Sequence, residues 1–321
     1  MTGNSKAIGV AYSDQNLTGS TLTNCVLAGS TGCFGNTFYV NETTGNDTFP
    51  GTLAQPFATI TQALSQCADN HGDTIYLMGS VHLTATLSWN KAGTNLIGEL
   101  APSNNGRSRI SATGATAFSP LVNVTKGGCA FVGIGTFHGG FTGATGSQVC
   151  WNDAGGRNYY KYVQFLGGGD ATTAALAGMR SLTITGVGEN LFEDCTIGLD
   201  TVVRATNANA SLEFLSGTVR NVFKKCIFES YCTAAGDTHV YVAANGMDRY
   251  AMFQACIFHN FGGTSLTAAM SNAGGSPGGD LVVSPDCISI GATAIAASGN
   301  VYVGQISAAG ATTTNIGILA T

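Results

Sequence analysis

Four cysteines stand in one repeated frame. Cys195, Cys226, Cys256 and Cys287 are 31, 30 and 31 residues apart. The first three lie in LFEDCTIG (191–198), VFKKCIFE (222–229) and MFQACIFH (252–259), and the fourth in the looser VVSPDCISIG (282–291). YYKYVQFLG (159–167) fits the same frame with Val163 at the cysteine position. A strand-like pattern that returns with a period near 30 cannot bury its apolar side one repeat at a time. Stacking each repeat on its neighbours can, so the period predicts a solenoid.

The frame also predicts which side chains point inward. Three residues before the cysteine stand Tyr160, Phe192, Phe223, Phe253 and Ser284, and two residues after it Phe165, Ile197, Phe228, Phe258 and Ser289. Strict alternation breaks once between these columns, as a corner between two strands requires. The two residues before the cysteine are mostly polar, among them Glu193-Asp194 and Lys224-Lys225, and belong on the outside of that bend. The position after the cysteine reads Gln164, Thr196, Ile227, Ile257, Ile288. It should face outward, and its last three members predict an apolar interface stripe.

The composition agrees with many short strands and tight turns. Of 321 residues, 45 are Gly, 44% are hydrophobic and only 10% are charged, which excludes a disordered chain. The net charge is −5 and the Lys and Arg residues are scattered, so no nucleic-acid surface is expected. MTGNSKAIGVAYSDQ (1–15) lacks a continuous apolar signal core, and no run of 18 apolar residues occurs. The expectation is therefore no membrane segment, synthesis in a host cytoplasm without a signal peptide, and cysteines kept as thiols rather than disulfides.

Residues 1–36 show no sustained period and read as an extended N-terminal arm, a docking segment. TFYVN (37–41) and DTIYLMG (73–79) read as strands. Between them, QPFATITQALSQCADNHG (55–72) has Phe57, Ile60, Ala63, Leu64 and Cys67 at helical spacing, which places a capping helix near 56–70. The solenoid is expected over 37–290, with 291–321 as C-terminal strands that contact an oligomer partner.

This N-terminal block resembles the entry of pectate-lyase-like parallel β-helix proteins. The residues that carry the resemblance are Gly45-Asn46-Asp47, Pro50-Gly51-Thr52, Pro56-Phe57, Thr59-Ile60, Ala63 and Gly72-Asp73-Thr74-Ile75. The resemblance implies an all-β chain forming a single right-handed parallel β-helix of about 30 residues per coil, its hand following the crossover rule. Function is less constrained, because that superfamily includes lyases, hydrolases, epimerases and non-catalytic virion proteins.

No catalytic, metal or cofactor constellation stands out. The acidic pool is Glu189, Glu193, Asp194, Asp170, Glu213, Glu229, Asp237 and Asp248. By coil alignment Glu193 lies between Lys161 and Lys224, a solvated charge ladder. Cys256 and His259 have half a zinc spacing, but the positions aligned with His259 are Gly198, Glu229 and Ile290. No nucleophile elbow or dinucleotide loop is present.

Low charge, a free arm and an uncapped apolar end suit a part of a larger assembly. Together with the resemblance they lead to the first expectation: a structural virion protein of a tailed bacteriophage, a capsid decoration or head fibre that binds the shell as a homotrimer. The second is a carbohydrate-active or glycan-binding spike that acts on a host surface glycan.

Overall fold

In the computed structural model the chain runs repeatedly through three parallel sheets. The structure describes residues 35–99, 108–112, 118–139, 148–274, 278–297 and 300–304, and the backbone of 317–319. The arm expected over 1–36 lies almost wholly outside the described residues. The first sheet has 11 strands, and the second and third have 8 each. Each coil contributes one strand to each sheet in turn, as in Tyr159–Lys161, Gln164–Gly167 and Arg180–Thr185. The fold is a single right-handed parallel β-helix, as the period and the resemblance implied. Parallel pairing continues beyond residue 290, through Ala292–Ala296 and Val301–Gly304, before Gly317–Leu319 pairs antiparallel.

The inward columns stack in register. Tyr160, Phe192, Phe223 and Phe253 are consecutive partners in the first sheet, and all are fully buried. Their rings lie 4.5, 4.5 and 5.0 Å apart with interplanar angles of 10° or less. Phe165, Ile197, Phe228 and Phe258 form the matching column of the second sheet. One position differs from expectation. Phe253 pairs with Val283, not Ser284. The last coil carries one more residue between its inward strand position and Cys287, at a turn containing Pro285, so the frame shifts by one.

The corner before each cysteine has a specific backbone. Tyr162, Asp194, Lys225 and Ala255 have φ of 54°, 53°, 53° and 50°, the left-handed region. This single residue turns the chain from the first sheet to the second. The cysteines are buried at the same corner. The Cys226 thiol donates to the carbonyl of Lys224 at 3.4 Å and of Phe192, one coil away, at 3.6 Å. Cys195 and Cys256 repeat the pattern. A small apolar residue with a weak donor therefore suits the position.

The opposite corner is tied by asparagines. Asn158, Asn190 and Asn221 are buried; the Asn158 backbone N–H donates to Asn190 Oδ1 at 2.9 Å, and Asn190 Nδ2 donates to Asn221 Oδ1 at 3.0 Å. These bonds satisfy turn groups that water cannot reach.

The first coils are closed by the helix Ile60–Gln66, shorter than the span near 56–70. Thr59 caps it, its side chain accepting from Gln62 N, and Ile60, Ala63 and Leu64 face the core. The residues of the entry motif have structural work here. Asp47 Oδ1 accepts from the backbone of Ala58 and Thr59, both at 2.9 Å. Asp73 is fully buried; burial opposes its charge, but bonds from Ala68 N, His71 and Asn36 N hold its pKa below the ordinary value. Among the described residues no helix is long and apolar enough to cross a membrane.

Candidate functional site on the outer face of the second sheet

Parallel stacking places like positions side by side outside the sheet as well as inside it. The outward column after the cysteine runs Gln164, Thr196, Ile227, Ile257 and Ile288 in register. Exposure grows along it: Gln164 and Thr196 are buried, Ile227 and Ile257 half-buried, and Ile288 is 52% exposed. Two residues further along each strand lie Gly198, Glu229, His259 and Ile290, again in register. One more alternation reaches Asp200, Tyr231 and Phe261. Two carboxyl groups, an imidazole and two aromatic rings thus share one patch, bounded by isoleucines.

Local backbone features shape the strands beside Glu229. Gly198 has φ of 120°, and a Cβ there would lie 1.8 Å from the Glu229 carbonyl oxygen, so only glycine fits. The strand Thr196–Arg204 keeps register with Ile227–Cys232 up to Leu199 and Ser230, then bulges and regains it at Arg204 and Cys232. The bulge carries Asp200 at its start and returns the Arg204 side chain to the core. Bulges re-aim side chains in this way.

Glu229 is the acid that the fold perturbs upward on an open face. Its pKa is raised from 4.5 to about 7, first by burial and then by the negative charge of Asp200, with Arg204 opposing. His259 is its in-register neighbour, and the His259 ring lies 3.7 Å from that of Phe261. Phe261 is 49% exposed.

Behind this face is a buried polar group. Arg204 Nη2 donates to the Gly167 carbonyl at 3.2 Å. Arg204 Nε and Nη1, both His239 ring nitrogens and Asp237 Oδ2 meet no partner among the described residues. Burial, then the charges of Arg204 and His259, lowers the His239 pKa to about 3, so this imidazole is neutral. Burial raises Asp237.

Five of the other acids have structural partners. Glu193 stands in register between Lys161 and Lys224, the ladder expected, and accepts from the Tyr159 hydroxyl at 2.7 Å. Glu189 bridges Arg157 and Arg220 across three coils. Glu213 pairs with Arg180 at 2.8 Å, Asp248 with Arg249 at 2.7 Å, and Asp170 caps the short helix Ala171–Ala174. Among the described residues no three His, Cys, Asp or Glu side chains gather as metal ligands. Two concavities lie elsewhere. One of about 280 Å³ lies beside the Glu42–His82 pair, and one of about 250 Å³ lies beside Arg157, Glu189 and Arg220. Neither includes Glu229.

The repeat places Glu229 in the acidic pool and in line with Gly198 and His259, but not beside Asp200. Asp200 stands at an irregularity that no period reveals. The available signal was the alignment of Gly198, Glu229 and His259 in successive coils.

No family model and no curated protein matches the chain. Solved structures do. A rhamnogalacturonan lyase is 15% identical, with 79% of this chain and 68% of that one covered and a TM-score of 0.53. A pectin methylesterase in complex with a hexasaccharide is 12% identical, covering 78% and 80%, with a TM-score of 0.41. The chain has the parallel β-helix fold of the first. The virion and trimer expectations draw no support from the comparisons.

Proposed function

We propose that this protein acts on a glycan laid across the outer face of the second sheet, with Glu229 as proton donor and Asp200 as the second carboxylate. The observation that carries the reading is geometric: the bulge after Leu199 sets Asp200 beside Glu229, in line with His259, and burial with the Asp200 charge raises the Glu229 pKa to about 7. A carboxylic acid that keeps its proton near neutral pH can deliver it to a glycosidic oxygen as the bond breaks. Asp200 then serves as the base that takes a proton from the attacking water.

The two acids are close enough for the charge of Asp200 to act on Glu229. Asp200 follows the last regular pair, Leu199 and Ser230, so it is a diagonal neighbour of Glu229. Strands ~4.8 Å apart with a rise of ~3.3 Å per residue put such Cα atoms about 8 Å apart. Phe261 and Tyr231 flank the acid and offer a surface for sugar rings.

This is the second of the two roles that the resemblance implied. It is preferred to the virion role because a perturbed acid with a partner carboxylate gives the fold a chemical purpose, and because the rhamnogalacturonan lyase that shares the fold is by its name a carbohydrate enzyme. The test is reducing-end release from a panel of polysaccharides by wild type, Glu229→Gln and Asp200→Asn. Wild type should cleave at least one, and Glu229→Gln should lose about 10²–10⁴-fold in rate. Full activity of Glu229→Gln would refute the assignment. A glycan bound but never cut would reduce the reading to recognition, and no binding at all would remove it.

A further inference from the structure

The patch also selects among glycans by charge. We infer that its ligand is an uncharged pyranose chain, not a polyuronate. The inference rests on the glycan reading and adds the ligand's chemical class.

A bound carboxylate needs cations, best of all the planar fork of arginine. The outward positions from Thr196–Arg204 to Ile288–Ile290 hold no lysine or arginine among the described residues. They hold Asp200 and Glu229. Arg204, the basic residue on the same strand, is buried and donates to the Gly167 carbonyl, so it faces away from any ligand. Basic side chains nearby in sequence, Lys224 and Lys225, belong to the first sheet and the corner, where Lys224 pairs with Glu193. Arg180 is held by Glu213 on the third sheet. A uronate on this patch would meet Asp200 and Glu229 with no outward lysine or arginine to pair its carboxylate, and the chain's net charge of −5 would not draw it in.

The remaining surface suits a neutral sugar. The C–H faces of a pyranose pack on the negative face of an aromatic ring. Phe261 presents such a ring, half exposed, backed by His259. Tyr231 follows Ser230 on the adjacent strand and stands at the same level, because Ser230 and Asn260 are partners. The isoleucine ladder forms the opposite wall. Between these walls protonated Glu229 and His259 bond to hydroxyl groups, which are donors and acceptors alike.

Calorimetric titration at pH 6 and pH 8 tests the inference with three probes: neutral cello-, malto- and N-acetylchito-oligosaccharides, oligogalacturonate, and de-acetylated chitosan oligomers. At least one neutral oligosaccharide should bind, at least tenfold tighter than oligogalacturonate. Phe261→Ala should weaken it about tenfold, and Asp200→Asn should narrow the gap to oligogalacturonate. Oligogalacturonate binding as tightly as the neutral chains would overturn the inference and leave the glycan reading intact. Preferential binding of chitosan oligomers would also overturn it, by showing that the acids choose the ligand. Failure of all three probes to bind would bring down the glycan reading itself.

Discussion

Replacing Phe223 by alanine should cost about 3–5 kcal/mol. Phe223 is fully buried, stacked on Phe192 at 4.5 Å and on Phe253 at 5.0 Å, with Phe214 and Phe228 edge-on or tilted at 6.2 and 5.7 Å. Removing its buried ring forfeits about 2–3 kcal/mol of transfer free energy. Two stacked faces add about 0.5–1.5 kcal/mol each beyond area. The gap cannot close, because the ladder hydrogen bonds fix the strands ~4.8 Å apart. Lys224, the next residue, provides the control. It is outward, 45% exposed and 3.9 Å from Glu193, so Lys224→Ala should change stability by about 0–1 kcal/mol. Urea unfolding followed by far-ultraviolet circular dichroism measures both. Equal losses, or a Phe223→Ala cost below about 1 kcal/mol, would refute the inward column as the source of stability.

Other residues make independent tests. Ala255 has φ of 50°, so Ala255→Gly should stabilise by about 0.5–1 kcal/mol, the reverse of the usual effect of glycine in a β protein; a lower melting temperature would contradict the corner geometry. Cys195, Cys226 and Cys256 are buried free thiols, and burial raises Cys226, so a maleimide should label them only at the rate of unfolding, while half-buried Cys287 reacts sooner. Fast labelling of Cys226 in the native protein would contradict the stack. The isoleucine stripe, first expected as a trimer interface, is on the ligand reading a wall that stays open: wild type should sediment as a monomer, and a trimer that Ile257→Asp dissociates before it unfolds would bury that wall and contradict the ligand face. A stable monomeric wild type would leave Ile227, Ile257 and Ile288 as one wall of the ligand face.

The fold was legible because stacking turns a three-dimensional contact into a one-dimensional period. Phe192 and Phe223 are neighbours in space because they are neighbours in the repeat. The helix was legible from Ile60, Ala63 and Leu64, though Thr59 as cap shortened it. What breaks the period was hidden. The extra residue at Pro285 moves Val283 into the place expected for Ser284. The bulge after Leu199 brings Asp200 to Glu229, and no spacing announces a bulge. Buried Arg204 and His239 were equally hidden, since a charged residue in a strand pattern reads as outward until the register is known.

The most direct test of the account is the titration of Glu229 itself, by carboxyl carbon NMR of glutamate-labelled protein with Glu229→Gln for assignment. A midpoint of about 7 is expected, moving down in Asp200→Asn as the charge that raises it is removed. The raised value also sets a stability slope. The contribution of Glu229 is fully present below 4.5 and is lost as pH rises to about 7, whereas that of neutral His239 is lost as pH falls from 6.5 to about 3. The two oppose each other between 4.5 and 6.5, so only the difference between wild type and Glu229→Gln isolates the glutamate. A Glu229 midpoint near 4.5, unmoved by Asp200→Asn, would contradict the account, because a carboxylate already ionised at neutral pH has no proton to give.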